Sequence, residues 1–134
     1  MTFLKEINKE ELRQYPVRAY EGPITVVEDP AAVESCVEKI RNHGVSGFDT
    51  ETRPMFRKNQ NHQVALIQIA VPGEVFLFRI NKTGMTRSLS ALLEDPGVLK
   101  AGVSLHDDIS RLKKLRLFNP SGFLELQEYS NDFG

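Results

Sequence analysis

Residues 45–54, VSGFDTETRP, carry an apolar strand pattern into two acids one residue apart, Asp49 and Glu51. Side chains alternate faces along a strand, so these two carboxylates point the same way and Thr50 points away. Two anions that close raise each other's proton affinity unless a cation stands between them. Clustered hard oxygens are natural ligands of Mg²⁺ or Mn²⁺. The competing reading makes Asp49 a turn residue closing the strand, with Glu51 paired to Arg53 or Arg57. D-x-E is short enough to occur often by chance, and the pair alone does not decide between the two.

A third acid bears on the choice. Residues 100–115, KAGVSLHDDISRLKKL, contain Asp107 and Asp108 side by side. Ser104 and Asp107 have the spacing of a capping box, which assigns Asp107 to a helix N-terminus. Asp107, Arg111 and Lys114 then share a solvated face with an Asp107–Arg111 pair. Asp108 falls with Leu112 and Leu115, in the first turn of the stripe that packs on the sheet. An unpaired acid buried there would be costly. Facing the charge that compensates Asp49 and Glu51 is the cheaper arrangement. Arg53, Arg57, Lys58, Asn59, Gln60, Asn61 and Gln63 follow the D-x-E pair directly. They suit a nucleic-acid backbone, or equally a solvated loop. Arg111, Lys113, Lys114 and Arg116 read as an outer helix face, and His106 lies beside the expected site.

The elements that must position these residues follow from pattern. The chain has 134 residues, 40% hydrophobic and 26% charged, enough for one ordinary core. Its net charge of −1 gives no overall basic signature of nucleic-acid binding, so positive charge would have to act locally. No run approaches the length of about 18 apolar residues that a membrane span needs, so no membrane partner is expected. The charged N-terminus lacks an apolar signal region, and a single cysteine fits a reducing compartment, so a cytoplasmic location is expected. Residues 1–21 read as an arm. ITVV (24–27) reads as a strand, and Asp29-Pro30 starts a helix whose apolar face is Val33, Cys36, Val37 and Ile40. Cys36 is thereby a core residue. VSGFD, VALIQIAV (64–71) and EVFLFRI (74–80) form an antiparallel meander with a turn at Pro72-Gly73. SLSALLED reads as a short helix, VLKAGVSL (98–105) as a strand, HDDISRLKKLRL as a helix and GFLELQ (122–127) as a strand. The class is α/β: a mixed sheet in which the meander is followed by parallel β-α-β units.

GFDTET, the hairpin VALIQIA…VFLF and VLKAGVSLHDDISRL, in this order and spacing, resemble the DEDD superfamily of 3′-5′ exonucleases. The branch they resemble contains ribonuclease D and the Werner-type exonuclease domain. FDTET also has a superficial likeness to the D-x-D-x-T of haloacid-dehalogenase-type phosphatases. There the second acid is Asp and the strand leads into a cap or helix, which the basic connection here does not. The DEDD resemblance runs from about residue 22 to the C-terminus and implies a ribonuclease-H-like fold over 22–134. It implies two divalent cations, Mg²⁺ or Mn²⁺, held by acids that act in catalysis. Asp49 matches the first acid, which bridges both metals, and Glu51 the second, on the metal that activates water. Asp108 matches the acid of the second motif, and Asp107 a position not used for metal. The implied activity is hydrolysis of DNA or RNA from the 3′ end, with Thr50, Thr52, Arg57, Lys58 and His106 as candidate substrate contacts.

The third motif of that family, Y-x₃-D or H-x₄-D, has no match; Tyr129-x₂-Asp132 is one residue short. The chain is therefore expected to be a shortened domain without its C-terminal helices. Exposed apolar surface, self-association and weak cleavage would follow. The alternative is a catalytically silent nucleic-acid-binding or interaction module of the same fold. Glu125 stands where relatives commonly carry Asp, which would cap the following element better.

Overall fold

The computed structural model describes residues 21–52 and 63–127. The N-terminal arm up to Tyr20, the segment with Arg53, Arg57, Lys58, Asn59, Gln60 and Asn61, and the stretch with Tyr129 and Asp132 lie outside the described residues. In chain order the elements are β1 (Ile24–Val27), α1 (Pro30–Arg41), β2 (Val45–Thr52), β3 (Val64–Val71) and β4 (Glu74–Arg79). There follow a single turn α2 (Ile80–Thr83), α3 (Arg87–Glu94), β5 (Leu99–Gly102), α4 (Leu105–Leu115) and β6 (Phe123–Glu125).

Local chemistry accounts for most boundaries. Asp29 accepts the Ala31 N–H at 3.0 Å and Pro30 opens α1, so the helix starts where its cap and its fixed φ coincide. Val33, Cys36, Val37 and Ile40 are its buried face, and burial pushes the Cys36 thiol above its ordinary pKa. Pro72-Gly73 turns β3 into β4, with Gly73 at φ +86°. Thr86 caps α3 by accepting the Leu89 N–H at 3.2 Å. Several boundaries differ from expectation: the strand begun by VSGFD runs on to Thr52, and β6 covers only Phe123–Glu125, with residues 126–127 already helical. β5 ends at Gly102 rather than residue 105, because Ser104 turns the chain into α4 through a left-handed backbone, φ 57°. The turn α2 replaces what the sequence presents as connection, since Ile80 and Thr83 bury against the sheet.

The six strands form one sheet in the order β1-β4-β3-β2-β5-β6. β2, β3 and β4 are the expected antiparallel meander and occupy the centre. β1 adds to β4, β5 to β2 and β6 to β5, all parallel. Registers align one inward row across the sheet: Val27, Phe78, Ile67 and Thr50, with Phe76, Ile69 and Phe48 beside it. These strand residues other than Thr50 share one core with Val33, Val37 and Ile40 of α1, Leu89, Leu92 and Leu93 of α3, and Leu105 and Leu112 of α4. The three longer helices therefore cover the same face, as right-handed crossovers advancing in one direction require. The opposite phase is largely open. Ile24, Val26, Val45 and Leu99 on it are 54%, 52%, 56% and 36% exposed.

One buried cation ties the layers together. Lys100 is fully buried on β5, and its Nζ donates to the Leu92 and Asp95 carbonyls at 2.9 and 2.8 Å, at the end of α3. The ammonium lies 5.2 Å from the centroid of the Phe123 ring, which meets Phe48 edge-on. Gly122, at φ +77°, lets the chain pass this knot. A Cβ there would stand 2.6 Å from the Val98 carbonyl and 2.8 Å from that of Asp95.

Candidate metal centre

Strand alternation distributes the D-x-E stretch as expected. Asp49 and Glu51 are exposed on the open face of β2, opposite Gln68 and Leu66 of β3, and Thr50 is buried on the helix-covered face. The ladder shifts register between Glu51 and Thr52, and such a bulge re-aims side chains where a strand ends. One oxygen of Asp49 accepts the Thr50 N–H at 2.9 Å. No ion pair to Glu51 forms among the described residues. Beside Asp49, an open cleft of about 340 Å³ is lined by Gly47, Gln68, Ala70, Ala101 and Val103.

Asp108 is the buried acid of α4, on the same face as Leu105 and Leu112, as its helical phase requires. It sits against Thr50, whose buried hydroxyl has no regular hydrogen-bond partner. Burial pushes the Asp108 carboxyl above the usual carboxylate range. The Thr50 side chain draws it back, the Asp49 charge adds to the rise, and Arg111 opposes it. Arg111 lies 3.7 Å from Asp108 and is itself 39% exposed, so the pair leaves the carboxylate largely uncompensated. Asp49 and Asp108 thus approach from two sides of β2 with Thr50 between them. Among the described residues no group of three His, Cys, Asp or Glu side chains is close enough to hold a metal. The donor chemistry nevertheless suits a hard cation: carboxylate oxygens, those of Asp108 raised in pKa by burial and by the Asp49 charge.

The other candidates fall as follows. Thr50 is buried on the helix-covered face against Asp108, away from Asp49 and Glu51, while Thr52 is half-buried at the bulge. His106, Asp107 and Gln63 are exposed. Arg111 pairs with Asp108 at i,i+3 rather than with Asp107. The expected capping box does not form, because Ser104 in the left-handed region aims no side-chain bond at the helix. Glu125 caps α4 instead, accepting the Ser104 N–H at 2.8 Å and the Leu105 N–H at 2.9 Å. Sequence reasoning placed Glu125 before the element it would cap, whereas it caps the one preceding it. No local signal marks a bond spanning twenty residues.

Comparison with known proteins adds to this geometry. Residues 24–133 match the protein family described as 3′-5′ exonuclease. The bifunctional 3′-5′ exonuclease/ATP-dependent helicase WRN of Mus musculus is 32% identical over 98 residues, 70% of this chain and 7% of that protein. The exonuclease domain of Aedes aegypti Nibbler superposes with TM-score 0.74 at 21% identity, covering 88% of this chain and 59% of that one. The EXD2 exonuclease domain soaked in Mg and GMP gives TM-score 0.69 at 25% identity, covering 82% and 59%. The chain thus spans less than two thirds of each of these relatives.

Proposed function

The chain belongs to the 3′-5′ exonuclease family, and from that premise we propose that it hydrolyses DNA or RNA phosphodiester bonds from the 3′ end, with Asp49, Glu51 and Asp108 as ligands for two divalent cations, Mg²⁺ or Mn²⁺. The observation that carries this reading is Asp108: a buried carboxylate held beside the strand that bears Asp49, with too little positive charge near it. Cations bound there would lower the pKa of a water and stabilise the leaving 3′-oxygen. The chain's own contribution is placement. β2 presents Asp49 and Glu51 on one face, and α4 holds Asp108 in its first turn against Thr50. Thr52 and His106, with Arg57 and Lys58 shortly after Thr52 in the sequence, are the proposed contacts to the nucleic-acid backbone.

A silent nucleic-acid-binding module of the same fold is the second reading. It is favoured by the lack of a three-acid cluster among the described residues. A Mn²⁺ titration followed by the heat-denaturation midpoint tests the site. Saturating metal should add about 2–3 kcal/mol, read as a rise of several degrees, and Asp49→Ala should abolish it. A 5′-labelled single strand should then shorten stepwise. Absence of any metal shift, with Asp49→Ala behaving as the parent, would overturn the metal reading. A strand bound but never shortened would establish the silent module.

A further inference from the structure

Glu125 reaches out of β6 to the start of a helix that it does not belong to. Both its carboxylate oxygens are used, one on the Ser104 N–H and one on the Leu105 N–H. These are the cap and first residue of α4, groups that a helix cannot satisfy for itself. The Ser104 hydroxyl does not cap, and Ser104 is the one non-glycine with positive φ among the described residues. A non-glycine residue holds that conformation only where its surroundings fix it. The fork of Glu125 does so with two charge-assisted bonds at a positive helix end. The parallel register sets Glu125 opposite Gly102, the last residue of β5, so the fork spans the whole β5–α4 corner. That corner has no slack. A Cβ on Gly102 would stand 2.5 Å from the Phe48 carbonyl and 2.7 Å from Leu105 Cδ2.

We propose that Glu125 is a positioning residue for Asp108: by clamping the Ser104 and Leu105 amides it sets the height of the first turn of α4, and with it the distance from Asp108 to Asp49 across Thr50. The inference rests on the metal reading for its functional consequence, but its structural content stands apart from it. Asp108 lies three residues beyond the clamped Leu105, so a tilt or slip of the first turn moves its carboxylate directly. Nothing else among the described residues holds these two amides.

The test compares Glu125→Gln and Glu125→Ala with Ile69→Val, a core change on the same sheet that leaves the corner intact. All are made in the full chain. The Mn²⁺ concentration giving half of the midpoint rise should increase about tenfold in Glu125→Ala and less in Glu125→Gln, while Ile69→Val keeps the parental value. Nuclear Overhauser contacts between the Asp108 β-protons and the Thr50 methyl should weaken in both Glu125 variants and persist in Ile69→Val. Unchanged half-saturation together with unchanged contacts would overturn the proposal and leave Glu125 as a plain cap. If the parent shows no metal shift at all, the metal reading fails by itself, and the Overhauser contacts alone decide whether Glu125 places Asp108. If Glu125→Ala does not fold, Glu125→Gln, which keeps the side-chain shape and one acceptor, supplies both readouts.

Discussion

A carboxyl raised in pKa by folding, as burial and the Asp49 charge raise that of Asp108, holds its proton more tightly in the folded chain than in the unfolded one. Between the unfolded value of 3.8 and the higher folded value, the folded state carries more protons, so stability falls as pH rises through that window. At neutral pH, without metal, Asp108 is therefore a burden on the fold. Asp108→Asn keeps the shape and removes the charge. It should raise the metal-free denaturation midpoint at pH 7, with the gain fading as pH drops toward 4. If Asp108 is the metal ligand proposed above, the same change should also lower 3′-end cleavage at least about a hundredfold, since losing a direct ligand exceeds losing a supporting contact. Midpoints at both pH values and a single-turnover assay check the pair of effects. No gain at pH 7 would mean that the charge is already compensated. The facing of Asp49 and Glu51 and the phase of Asp108 were legible from periods of 2 and 3.6 residues. The seat of Asp108 against Thr50 was not, because it depends on how α4 crosses β2.

Among elements, α3 and β5 are joined by Lys100, whose burial lowers its pKa to about 8 from 10.5. The unfolded chain binds the extra proton between those values, so stability should rise with pH from about 8 to 10.5, by at most about 3 kcal/mol. Below pH 8 both states are protonated and the ammonium stays buried, held by the Leu92 and Asp95 carbonyls. Lys100→Met should remove the alkaline rise and cost about 1–3 kcal/mol at pH 7 by leaving those carbonyls without a donor. Urea curves from pH 7 to 10 check both. A flat pH dependence in the parent would show that Lys100 keeps an ordinary pKa. Boundaries written in neighbouring residues were readable: the Asp29-Pro30 start and the Pro72-Gly73 hairpin. Lys100 and Glu125 were not, since each satisfies backbone groups of another element. Strand alternation does put Lys100 in the inward row, which in retrospect flags a buried lysine needing acceptors.

At the level of the whole molecule, the meander's centre was evident because hairpin-linked strands pair with their neighbours in sequence. The side occupied by the helices follows only when every crossover is placed, and three of them advance the same way. That arrangement leaves Asp49 and Glu51 on an open face and Asp108 on the covered one, so the candidate centre straddles the sheet. The same topology has a kinetic side. Residues 45–79 hold all the antiparallel pairings, whereas Ile24 meets Val75 and Val45 meets Leu99 across some fifty residues of chain. Closing those longer loops costs entropy before any contact repays it. The meander should be the nucleus and the parallel flanks late additions. Ile69→Val should then slow refolding, while Leu105→Val should mainly speed unfolding. Stopped-flow chevrons giving the reverse pattern would place the nucleus at a flank. The corner that bears Asp108 lies on one of these flanks and would thus assemble after the meander and open before it.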